Sequence, residues 1–77
     1  MRTLLISGIQ CEIGEDENGF IDVFIEHPDG RVFGLPTAVE YSEWIVRGAL
    51  TKKDAILLAS DLIKERLLFM TWKVESG

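Results

Sequence analysis

Cysteine and histidine each occur once in this 77-residue chain, as Cys11 and His27. A single cysteine excludes an intrachain disulfide and any cysteine-rich zinc site, and a single histidine excludes a histidine metal cluster. The one remaining pairing of that kind, Cys11 with His27, needs adjacent strands to bring the two together. A core thiol and a hydrogen-bonded structural imidazole are the expected roles. Long apolar runs are also missing. The run after Arg2 extends only from Leu4 to Ile6 before Ser7 and Gly8, too short for the core of a signal peptide. Nothing approaches the ~20 apolar residues that cross a membrane as a helix. The expected compartment is therefore cytoplasmic. Positive charge is scarce as well: eight Lys and Arg stand against thirteen Asp and Glu, a formal charge of −5. Counterion release on nucleic acid needs clustered basic residues, so the balance argues against that partner and suits solubility or a basic protein partner.

Catalytic signatures are absent too. The chain has no GxxxxGK[ST], GxGxxG or GxSxG pattern, and its carboxylates sit in surface-like positions without a sign of a raised pKa. A chain this short has little room for a deep pocket. The expectation is a non-enzymatic protein with no cofactor, no metal and no small-molecule ligand.

The stretch with one clear periodicity runs from Thr51 to Met70. Thr51 followed by Asp54 opens a helix in capping-box fashion. At 100° per residue, Ala55, Ile56, Leu58, Ala59, Leu62, Ile63, Leu67, Phe69 and Met70 share one arc of roughly 180°. About 19 helical residues would extend roughly 28 Å. Two features break this pattern. Arg66 lies near the middle of the apolar arc, where a charge must be paired or must reach solvent. Leu57 and Leu68 project from the polar side, a candidate small contact patch. After Met70 the helix continues briefly, with a terminal strand as the rival.

Alternation over Thr3 to Ile13 predicts a strand with Leu5, Ile9, Cys11 and Ile13 on one face. Asn18-Gly19 in the acidic connection after Gly14 is a strong hairpin cue, and the ligand spacing of a calcium loop is missed there. A second strand is expected over Phe20 to His27, with Phe20, Asp22, Phe24 and Glu26 on a face too aromatic for ordinary solvent exposure. Pro28-Asp29-Gly30 reads as a tight turn leading into a third strand, Arg31 to Leu35. Thr37 with Glu40, and Gly48 as a stop, frame a helix over Ala38 to Arg47. Its apolar face exceeds what a small sheet covers, with Tyr41 and Trp44 at one edge and Glu40, Glu43 and Arg47 as a solvent stripe.

The expected architecture is α+β, one domain over residues 1–77: a three-stranded antiparallel meander followed by two helices on one face. The expected function is a non-catalytic protein-interaction module, a small acidic accessory, adaptor or inhibitor that binds a larger protein. Its size and charge are those common among phage and mobile-element inhibitors. Candidate contacts are Phe20, Phe24, Tyr41, Trp44 and Arg66, with Leu57 and Leu68 as a second patch. The 47% hydrophobic content also points to self-association, so a homodimer is the other form of protein partner. The alternative is a nucleic-acid-binding accessory domain that uses Arg31, Lys52, Lys53 and Lys64.

Overall fold

The computed structural model describes residues 2–35 and 37–76, and side chains up to Arg66. Four strands form one antiparallel sheet in chain order: β1 (Arg2–Ile6), β2 (Ile9–Glu15), β3 (Ile21–His27) and β4 (Tyr41–Ala49). A 3-10 helix (Gly30–Phe33) lies between β3 and β4, and a long helix, α1 (Lys52–Ser76), follows. The expected three strands and two helices are therefore corrected to four strands and one long helix.

Each difference has a local cause. Ser7 and Gly8 both take positive φ, 51° and 82°, and Ile6 pairs with Ile9. That is the two-residue hairpin turn favoured by strand twist, and it divides the expected first strand in two. Because the turn holds two residues, it inverts the alternation. Leu4 and Ile6 share the inner face with Ile9, Cys11 and Ile13, while Leu5 turns outward and is 71% exposed.

The expected third strand is the 3-10 helix. Asp29 caps it by accepting the Arg31 amide at 3.0 Å and grips the Arg31 guanidinium through Nε and Nη2. Gly30 is needed there by close approach. Its N–H donates to the Val39 carbonyl at 2.7 Å, and a Cβ would lie 2.6 Å from Leu35 Cδ1.

The expected helix over Ala38 to Arg47 is β4. Its register against β3 slips twice, between the Ile21 and Val23 pairs and between the Val23 and Phe24 pairs. Each bulge inserts a residue and shifts the alternation. The inward positions Tyr41, Glu43, Val46 and Ala49 are thus spaced two, three and three apart, which imitates a helical stripe. Gly48 sits at the slip between the Ile21 and Val23 pairs with φ 76°, and its N–H donates to Asp22 Oδ1 at 2.8 Å.

The N-terminus of α1 forms as expected, with Thr51 Oγ1 accepting the Asp54 amide at 3.1 Å. The helix continues through Ser76, in agreement with helix rather than strand after Met70. Ala55, Ala59 and Ile63 are fully buried against Ile6, Ile9, Cys11, Ile13, Ile21, Val23, Ile25, Val46 and Ala49. Two alanines at i and i+4 let the helix backbone approach the sheet closely. Ser60 adds a polar tie, its hydroxyl 2.9 Å from that of Ser7 in the first turn. Leu58, expected on the apolar arc, is instead half exposed. No helix among the described residues is long and apolar enough to cross a membrane.

Candidate contact surface

The helix covers one face of the sheet, and the opposite face has no chain over it among the described residues. Cross-strand pairing places Thr3, Glu12, Phe24 and Trp44 in one row over that uncovered face. Gly14 and Asp22 form the next pair along, while Leu5, Gln10, Glu26 and Ser42 lie on the other side of the row. Phe24 and Trp44 meet edge to face with centroids 5.0 Å apart, the geometry favoured by the ring quadrupoles. The Arg47 guanidinium stands 5.1 Å from the Trp44 centroid. Trp44 is 45% exposed.

Beside this pair is a notch of about 330 Å³ lined by Glu12, Gly14, Glu15, Asp22, Phe24 and Trp44, to which Gly14 brings no side chain. Glu12, Glu15 and Asp22 take part in no ion pair among the described residues. Asp22 accepts the Gly48 N–H.

The structure separates the other candidate contact residues. Phe20 lies outside β3, at the end of a loop that Asp16 organises. Asp16 Oδ1 accepts the amides of Asn18 and Phe20 at 2.8 and 3.0 Å, so this carboxylate holds a turn. Tyr41 and Trp44, expected together on a helix edge, lie on opposite faces of β4. Tyr41 turns toward α1 and stacks on Phe33 at 4.4 Å. There Arg66 donates to the Tyr41 hydroxyl oxygen and to both oxygens of Glu43, and the Tyr41 hydroxyl donates to Glu43 Oε2. Glu43, expected on a solvent stripe, is thus the partner that lets Arg66 occupy the apolar side of the helix. The guanidinium beside it holds the Glu43 carboxyl below its usual range. Burial, with the Glu43 carboxylate second, pushes Tyr41 up to about 12. This cluster ties α1 to β4 and offers no reactive group.

Leu57 is 55% exposed and shares a groove with Leu50, Leu58, Gly48, Ala49 and Asp54. Its expected neighbour Leu68 lies outside the described side chains. The basic candidates do not converge with the aromatics. Arg31 is paired with Asp29, while Lys52, Lys53 and Lys64 are carried by α1, on the far side of the sheet from Phe24 and Trp44. Glu12, Gly14, Arg47, Leu5 and Leu50 were not among the candidate contacts, nor was Asp22, which the sequence did place on the face of Phe24. The available signals were the Ser7-Gly8 turn dipeptide for Leu5, and the β-branched and aromatic residues of Tyr41 to Val46 for the β4 face.

No protein-family model matches the chain, and no curated protein or solved structure shows significant similarity to it.

Proposed function

We propose that this chain is a non-catalytic interaction module that binds a larger protein through the uncovered face of its sheet. The observation that carries this reading is the Phe24–Trp44 pair, left without a covering layer on a face that also presents Leu5. Tryptophan in such a patch is a characteristic binding anchor, because it buries much area with little loss of side-chain freedom. The nucleic-acid alternative is not favoured, since Glu12, Asp22 and Glu26 surround the aromatics and repel phosphate. The Leu50–Leu57–Leu58 groove is a second apolar surface, suited to contact between copies. Such self-association would make the melting temperature rise with protein concentration.

The test compares tagged wild type with Trp44→Ser in the native host's lysate, at low and at roughly physiological salt. Trp44 points away from the core, so the variant keeps its helix and sheet signals by circular dichroism. A protein held stoichiometrically by wild type and lost by Trp44→Ser supports the proposal. A protein held equally by both overturns the assignment to this face. Nucleic acid captured at low salt and shed as salt rises would replace it with the alternative.

A further inference from the structure

We infer that the notch at Gly14 receives the guanidinium of an arginine presented by the protein partner. The inference rests on the uncovered face being the binding surface and adds the chemistry of what docks there. Four observations carry it. The notch combines an aromatic wall, Phe24 and Trp44, with two carboxylates on the same face, Glu12 and Asp22. Neither of those carboxylates is in an ion pair among the described residues, whereas the chain's other half-buried acid on the sheet, Glu43, is paired with Arg66. The Trp44 ring already stands near a guanidinium, that of Arg47, yet Arg47 does not line the notch. Finally, Gly14, which pairs with Asp22, brings no side chain into the notch that it lines.

Arginine fits this arrangement better than other side chains. Its planar cation stacks on an aromatic face while its N–H groups reach carboxylates in the same plane. Lysine offers a compact charge but no plane to stack. An acidic or phosphorylated segment meets two like charges. Apolar anchors would leave those carboxylates desolvated without a partner. Phe24 and Trp44 line the notch, so the arginine stem lies over the aromatics while its head group enters at Gly14.

The test has two arms on the full chain. First, an acetylated and amidated peptide containing three arginines is titrated into isotope-labelled protein, with a norleucine peptide of the same length as control. Saturable shifts at Gly14, Glu12 and Trp44 with the arginine peptide alone are expected. Glu12→Gln/Asp22→Asn, in which the Asn oxygen can still accept the Gly48 N–H, is expected to weaken binding by about tenfold or more, and added salt to weaken it further. Equal affinity for the double variant would overturn the inference, because the peptide would then bind without the notch carboxylates.

Second, the lysate capture is repeated with the double variant and with Gly14→Val, which fills the notch with a strand-favouring side chain. Should Gly14→Val misfold, the double variant, which leaves the backbone untouched, decides alone. Capture lost in both Trp44→Ser and the notch variants supports the inference. Capture lost in Trp44→Ser but kept in the notch variants overturns the arginine site and leaves the interaction face standing. Capture kept in all of them overturns both.

Discussion

Tyr41 is the chain's one tyrosine, so its ionisation can be followed by ultraviolet absorbance without interference from another phenol. The expected midpoint is about 12 rather than the ordinary phenol value of 10.0. Burial is the first cause, so Glu43→Gln should lower the midpoint without returning it to 10.0. A folded-state pKa above the unfolded one means that Tyr41 stabilises the fold fully below the unfolded value. That contribution is lost as pH climbs through the folded one. Glu43 has the opposite sign. Its folded pKa lies below 4.5, so its contribution is present above that pH and lost as pH falls through the depressed value. Wild type should melt above Glu43→Gln at neutral pH, by an amount worth about 1 kcal/mol or less for a pair this exposed. Thermal melts should show the gap narrowing below pH 4.5. A gap that stayed constant on acidification would mean that the Arg66–Glu43 contact contributes nothing.

Among the elements, β4 and the 3-10 helix show how far local pattern reading reaches. Thr51 and Asp54 marked the start of α1 correctly, because a cap is a contact between near neighbours. The alternation in Ile21, Val23 and Ile25 marked β3 for a similar reason, since a regular strand between two partners shows its period directly. By contrast, Tyr41 to Ala49 contains two bulges whose extra residues are fixed by pairing with β3, so its inner positions fall at near-helical spacing. Gly30→Ala should destabilise by about 1–3 kcal/mol in urea unfolding, because the new methyl overlaps Leu35 and the Val39 carbonyl. An unchanged unfolding midpoint would show that this crossing relaxes freely. On α1, Ile63→Ala should cost about 2–5 kcal/mol, comparable to the whole ~3–5 kcal/mol expected of so small a core. It should therefore be largely unfolded at room temperature by circular dichroism, while Ile63→Val stays folded.

For the molecule as a whole, Cys11 is a built-in reporter. It lies on β2 with β1 and β3 to either side, its Sγ–H donates to the Ile9 carbonyl at 3.4 Å, and burial pushes its thiol pKa up. A buried, protonated thiol reacts slowly with disulfide reagents. Labelling should therefore wait for the sheet to open, and its rate should increase with denaturant in step with global unfolding. Immediate labelling of the native protein would show that the first hairpin opens independently of α1. The same view explains the candidate site. One helix on a four-stranded sheet leaves the opposite face without a covering layer among the described residues, and the Phe24–Trp44 pair lies there.

The sequence alone was enough for the mixed α+β class, for the long C-terminal helix and its cap, and for β3. It also singled out Phe24, Trp44 and Arg66, whose chemistry is unusual for any local reading of their surroundings. Tertiary structure decided which side each residue faces. A two-residue turn reversed the phase of the first hairpin and sent Leu5 outward. Three residues apart on a regular stretch of β4, Tyr41 and Trp44 fell on opposite faces of one strand. Pairing across strands then brought Gly14 and Asp22 alongside Phe24 and Trp44. Side-chain direction in a sheet depends on register, and register depends on partners distant in sequence. The helix needed only its neighbours, whereas the notch required three strands to meet.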